Sequence, residues 1–143
     1  MRAVVIGCGR VGSAVALQLA EDGWDVTAVD ENEEALGRLG RAWKGGFVVG
    51  HAMESEVLLQ AGIENADAAV VATSGDNTNI VIGQVLQKRY GVNCVVVRVL
   101  DPRRAEFFGK LGLRVISPTQ TAISYLVEAV RASDVPKPAN VEA

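Results

Sequence analysis

Histidine occurs once in these 143 residues, cysteine and tryptophan twice each, and aromatic residues make up only 5% of the chain. The two cysteines, Cys8 and Cys94, sit in apolar, strand-like contexts with no CxxC or Cys/His spacing, which excludes a disulfide framework and a zinc site and fits a cytosolic protein. No metal site is expected. There is no basic run: 14 Lys and Arg stand against 17 Asp and Glu, for a formal charge of −3. The clustered cations that attract nucleic acid phosphates irrespective of sequence are missing, so nucleic acid is excluded as a partner. No apolar stretch approaches the roughly 20 residues that span a bilayer, so direct membrane insertion is excluded as well. The N-terminus MRAVVIGCGRVGSAVALQLA has the small apolar residues of a signal peptide, but its glycines and the periodic helix that follows mark folded structure.

What the chain has in quantity is aliphatic residues and glycine, enough to bury one full core without staples. Short apolar runs near 2–6, 25–29, 47–49, 68–73, 94–99 and 114–116 alternate with helical patterns. The alternation predicts βαβ units, hence an α/β fold: three layers, doubly wound and Rossmann-type, around a six-stranded parallel sheet of order 3-2-1-4-5-6. Punctuation supports it. Asp101-Pro102 reads as an N-cap followed by proline at N1, and Gly112 suits the turn after that helix. Ser117-Pro118-Thr119-Gln120 reads as a capping box, and the helix it opens carries Ile123, Leu126, Val127 and Val130 as one stripe. That stripe covers either the domain's own sheet or a partner subunit. One domain over 1–132 is expected, with 133–143 (SDVPKPANVEA) as a linker or tail, since two prolines and no periodicity follow.

The chemistry concentrates in GCGRVG. Gly7, Gly9 and Gly12 fit GxGxxG, and the context gives the motif weight: a strand precedes it, a helix with Val11, Val15 and Leu19 on one face follows it, and a second strand ends at Asp30, about 20 residues on. Gly7 permits the tight turn, Gly9 lets a pyrophosphate approach the backbone, and Gly12 lets helix and strand pack. The helix N-terminus offers free N–H groups and about half a positive charge. Asp30 would accept from the ribose hydroxyls of an adenosine, and it repels a 2′-phosphate, with Glu31 and Asn32 supplying no cation, so NADP is disfavoured. Arg10 either points into solvent or clamps the outer phosphates of a bound nucleotide.

Further along, Thr73-Ser74 ends the fourth strand at the carboxyl edge of the sheet, where ligands of doubly wound folds sit. Their hydroxyls either reach a ribose or phosphate, or simply end the strand before a helix capped by Asp76. Arg98 interrupts the apolar strand CVVVRVL; it either reaches past the sheet edge toward an anion or pairs internally with a carboxylate. His51 follows the third strand as a contact of lower standing, because a general base needs partners the sequence does not show. No catalytic residues are assigned. There is no YxxxK pair, since Tyr90 is followed four residues on by Cys94 and Tyr125 by Ala129, and this weighs against the alternative of an NAD-dependent oxidoreductase fragment.

GCGRVG, the aspartate at 30, VVGHAMESEVLLQAGIENADAAVVATSGDNTNI and VVVRVLDPRRAEFFGKLG together resemble the N-terminal nucleotide-binding domain of regulators of potassium conductance, also called the KTN or TrkA N-terminal domain. The resemblance runs over about residues 1 to 130. It implies a domain that binds NAD(H) or ATP/ADP without catalysis and controls a membrane potassium channel or transporter of the Trk/Ktr type. Such a domain would be cytoplasmic, held at the inner face of the membrane by that partner. It implies nucleotide contacts from Gly7, Cys8, Gly9, Arg10 and Val11 in the first loop, from Asp30, from Thr73 and Ser74, and from Arg98. Position 51, an acid in many members, is His51 here, as in some Trk-type members. It also implies a homo-oligomer, dimer or ring, with the helix after Asp76 and the final helix at interfaces. Full regulators usually continue into a second ligand-binding domain, so this chain corresponds to a domain of a longer protein or to a short regulator.

Overall fold

A computed structural model describes residues 1–134 and 136. Six strands, β1 (Arg2–Ile6), β2 (Asp25–Asp30), β3 (Gly46–Val49), β4 (Ala68–Val71), β5 (Cys94–Arg98) and β6 (Arg114–Ile116), form one sheet in the order β3-β2-β1-β4-β5-β6. Every neighbouring pair is parallel, with Val5 opposite Ala28 on one side and Val70 on the other. The expected class and order are therefore observed. The connections are α1 (Arg10–Glu21), a 3-10 segment Glu33–Leu39, α2 (Ser55–Gln60), α3 (Asp76–Lys88) and α4 (Pro102–Lys110), and the chain continues into α5 (Pro118–Ala132).

Alternate residues of β1 feed two separate cores. Val4 and Ile6 join Leu58, Ile63, Ile80, Ile82, Leu86 and Val97 beneath α2 and α3. Ala3 and Val5 join Ala16, Val26, Ala28, Ala35 and Leu39 beneath α1 and the 3-10 segment. Both faces of the inner strands are thus dry, as a parallel sheet sandwiched by helices requires. Each fully buried Val, Leu or Ile contributes roughly 1.5–3 kcal/mol.

Several local expectations change. In α1 the buried residues are Gly12, Ser13 and Ala16; Val11 is exposed at 45%, and Val15 and Leu19 are half-buried flanks. Small residues face the sheet because the helix lies against the glycine turn. Cys8 is not in a strand but in the loop after β1, fully buried. β4 stops at Val71 because the ladder runs out after the next amide: Ala72 N still donates to Ile6 O of β1, but Thr73 N donates to the side chain of Asn79. Asp76 is not a cap. Gly75 holds the N-cap position without a side-chain bond, and the Asp76 carboxylate accepts from Leu100 N and Asp101 N.

The Asp101 cap forms as expected, accepting from Arg103 N, and Gly112 adopts φ 99° after α4. Ser117 caps α5 by accepting from Gln120 N, but the reciprocal half of the box is absent: the Gln120 amide donates to Ser124 Oγ. None of α5 is buried; Ile123, Leu126, Val127 and Val130 are 46%, 68%, 41% and 65% exposed, so the stripe does not cover the domain's own sheet. Of the tail expected at 133–143, residues 135 and 137–143 lie outside the described residues. No helix among the described residues is long and apolar enough to cross a membrane.

Candidate functional site

The chain leaves β1 for β2 on one side and returns to β4 on the other, so the loops after β1 and β4 diverge at the carboxyl edge of the sheet. A cleft of about 650 Å³ opens there. Its floor is the β1–α1 turn. Gly7, at φ 91°, has a conformation that favours glycine, and a Cβ there would stand 2.5 Å from Ala72 O. A Cβ on Gly12 would stand 1.6 Å from Gly7 O, so helix and turn close on each other only through glycine. Gly9 differs: a Cβ there would meet nothing within 4 Å. The protein does not need that glycine for its own packing, and the free space beside it lies in the cleft at the N-terminus of α1.

The turn is fastened to β2. Gly7 N donates to Val29 O, Cys8 N donates to Asp30 Oδ2 at 2.7 Å, and Asn32 N donates to Asp30 Oδ1 at 2.8 Å. Asp30 is thus first an organiser of the loop, with each oxygen keeping further acceptor capacity toward the cleft. Arg38 Nη1 donates to Cys8 O from behind. Burial pushes the Cys8 thiol above its ordinary value, the Asp30 charge adds to this, and Arg38 opposes it. Beside Asp30, His51 Nδ1 accepts from Met53 N, which leaves Nε2–H to donate to Glu31 Oε1 at 2.8 Å.

Across the cleft, Arg98 Nη2 donates to Thr73 O at 2.7 Å, and the Thr73 hydroxyl donates to Asn79 Oδ1. Arg98 has no carboxylate partner among the described residues, so internal ion pairing is ruled out for it, and its buried Nε has no hydrogen-bond partner. Arg10 lines the cleft, exposed at the start of α1. The cleft is therefore polarised. Asp30 and Glu31 stand at the β2–β3 end, and Arg98 stands at the β4–β5 end with Arg10 at the glycine turn between.

A family model for the TrkA-N domain matches residues 3–118. The chain belongs to the TrkA-N domain family. It is 40% identical over 117 residues to the Trk system potassium uptake protein TrkA of Streptomyces coelicolor, covering 82% of this chain and 52% of that protein. To the Trk system potassium uptake protein TrkA homolog of Methanothermobacter thermautotrophicus it is 37% identical over 132 residues, covering 91% of this chain and 60% of that protein. The chain spans a little over half the length of these curated relatives. Among solved structures, the GsuK channel bound to NAD superimposes with a TM-score of 0.76 at 24% identity, covering 91% of this chain and 23% of that one. GsuK bound to ADP gives the same score and identity over 90% and 33%. These structures share the TrkA-N fold.

Of the site residues expected from sequence, Gly7, Gly9, Arg10, Val11, Asp30, His51, Thr73, Ser74 and Arg98 all line the cleft of this TrkA-N domain. Cys8 and Gly12 do not: the Cys8 side chain is buried beneath the 3-10 segment and Gly12 is pressed against Gly7. Sequence reasoning missed Glu31 as a wall, Gly50 and Thr78 at the rim, and Asn79 below. Asn79 left a signal. It shares the buried face of α3 with Ile82, Gly83 and Leu86, where a polar residue needs an internal reason.

Proposed function

We propose that the cleft binds NAD(H) or ATP/ADP as a ligand that undergoes no reaction, and that the bound state controls a membrane potassium channel or transporter of the Trk/Ktr type. The observation that carries this reading is the polarised cleft, with the free volume at Gly9 on one wall and, on the other, the Arg98 side chain, which no carboxylate pairs among the described residues. A nucleoside phosphate fits it in one direction only. Backbone N–H groups of Gly9, Arg10 and Val11 at the start of α1 receive the inner phosphates, Arg10 and Arg98 the outer ones, and Asp30 the ribose. Thr73, Ser74 and His51 complete the walls. Asp30 and Glu31 oppose a 2′-phosphate, and the one nearby imidazole is held by Glu31, so NADP is disfavoured.

The names of the TrkA relatives, and the GsuK structures bound to ADP and to NAD, support the ligand class and the transport setting. In this reading 1–132 is the nucleotide-binding domain and 133–143 a linker or tail. The protein works in the cytoplasm at the inner face of the membrane through its transporter, and it assembles as a homo-oligomer. Regulation needs unequal binding in two assembly states, typically about 1–3 kcal/mol of coupling.

The test is thermal unfolding with NAD, NADH, NADP, ATP, ADP and AMP. A ligand at 100 times its dissociation constant stabilises by about 2.7 kcal/mol, which raises the midpoint by roughly 2–4 °C per kcal/mol. Stabilisation by NAD or by ATP/ADP is expected, with NADP weaker. No stabilisation by any of them overturns the reading, equal stabilisation by NADP overturns the role of Asp30, and turnover of a nicotinamide overturns the non-catalytic role.

A further inference from the structure

The cationic end of the cleft is assembled by a side chain that does not line it. Asn79 is 1% exposed, and all of its amide hydrogen-bonding capacity is used. Oδ1 accepts from Thr73 N at 3.0 Å and from the Thr73 hydroxyl; Nδ2 donates to Thr73 O at 3.0 Å and to Arg98 O at 2.9 Å. A primary amide carries two donors and two acceptor lone pairs, and here all four meet partners. The loop after β4 and the end of β5 are tied together by this one group.

Arg98 depends on it twice. The Arg98 backbone is held at its carbonyl by Asn79 Nδ2, and its guanidinium is held at Thr73 O, the atom that Asn79 Nδ2 also engages. Nothing else holds the guanidinium: Nε is buried without a partner, and no carboxylate pairs with the group among the described residues. An arginine without an internal anion is costly to a fold, and the place of Arg98 in the lining of the cleft gives the guanidinium a purpose there. The neutrality of Asn79 matters to that purpose. A carboxylate at 79 would keep the acceptors for Thr73, set a second oxygen against two carbonyl oxygens, and offer the guanidinium an internal anion.

We infer that Asn79 is a positioning residue for phosphate recognition, holding Thr73 and Arg98 so that the Arg98 guanidinium faces a phosphate of the bound nucleotide rather than the protein interior. The inference rests on the nucleotide reading of the cleft and adds to it the group that sets the phosphate receptor. It concerns affinity for phosphate, since the ribose and base meet the opposite end of the cleft.

The experiment is calorimetric titration of the whole chain, wild type, Asn79→Asp and Asn79→Ser, with adenosine, AMP, ADP and NAD, each variant first shown folded by circular dichroism. Wild type is expected to prefer ADP to adenosine. In Asn79→Asp that preference is expected to shrink by about tenfold or more, the scale of a lost charge-assisted contact, while affinity for adenosine stays within about twofold. Asn79→Ser, which carries no charge, is expected to lie between the two, and it decides the question if Asn79→Asp does not fold. A folded variant set that keeps the wild-type ADP-to-adenosine ratio, or loses adenosine and ADP alike, overturns the inference and leaves the nucleotide reading standing. A wild-type chain that binds none of the four overturns the nucleotide reading, and the phosphate role of Asn79 falls with it.

As an independent readout, the Arg98 Nε–H resonance of the ligand-free wild type is expected to be sharp and slow to exchange, and to broaden in both variants. A signal unchanged in both shows that Asn79 does not position the guanidinium.

Discussion

Gly9 and Gly12 respond oppositely to one added methyl group. At Gly12 the new Cβ would fall 1.6 Å from a backbone oxygen, which no rotamer relieves, so Gly12→Ala is expected to cost more than about 3 kcal/mol in urea unfolding or to abolish folding. At Gly9 the methyl meets only the cleft, so Gly9→Ala is expected to cost less than about 1 kcal/mol, the range for changes at an N-cap, while weakening nucleotide binding at least about tenfold by occupying the space of a phosphate. Equal effects on stability in the two variants would contradict this division. Cys8 gives a pH prediction. Its thiol is raised in the fold, by burial first and then by Asp30, so between the unfolded and folded values the unfolded chain binds fewer protons and stability falls as pH rises. The contribution is fully present below the ordinary thiol value and is lost above it. Wild type should therefore lose its stability advantage over Cys8→Ala progressively above about pH 8.5, read as converging urea midpoints. A constant difference up to pH 10 would show that Cys8 is not the group responsible.

At the scale of elements, the punctuation that marks helix starts was legible where it is local and misleading where a distant partner competes. Asp101 and Ser117 cap the helices their sequence announces, because a cap needs only its own next three residues. Asp76 has the same local credentials, yet its carboxylate reaches across to Leu100 N and Asp101 N and staples the β5–α4 turn to the start of α3. No local pattern shows that, since it depends on β4 and β5 being neighbours. Thr73 leaves the strand for the same kind of reason, its amide being taken by Asn79. Asp76→Ala is accordingly expected to destabilise by about 1–2 kcal/mol, two exposed hydrogen bonds to a charged acceptor, and to raise amide exchange at Leu100 and Asp101 more than elsewhere in the sheet. Asp76→Asn should recover part of the loss, having one acceptor oxygen. Exchange that rises instead within the first turn of α3 would mean that Asp76 acts as a cap after all.

For the whole molecule, the sheet order and most of the cleft were legible because an acidic residue ending β2, glycines after β1 and polar residues after β4 are brought to one edge by any doubly wound parallel sheet. The destination of α5 was not, because periodicity reports a stripe and not what it meets. The structure leaves Ile123, Leu126 and Val130 exposed along α5, and Phe107, Leu111 and Ile116 exposed on α4, the turn after it and β6, and exposed apolar side chains in such number mark an interaction surface. A second copy is the occupant that requires no further component: two α5 stripes related by a two-fold axis bury the same side chains twice, and Leu126, near the middle of α5, contributes on both sides. The wild type should therefore be a dimer or larger at micromolar concentration by light scattering, and Leu126→Asp should shift it to monomer by burying two unpaired carboxylates in an apolar seam. Leu126 is not among the residues lining the cleft, so affinity for ADP per chain should change by no more than about twofold in the monomer, whereas coupling between nucleotide and assembly should vanish. A wild type that is monomeric throughout would rule out a second copy as the occupant of the stripe, and a variant that dissociates and also loses ADP would place the seam nearer the cleft than this fold puts it.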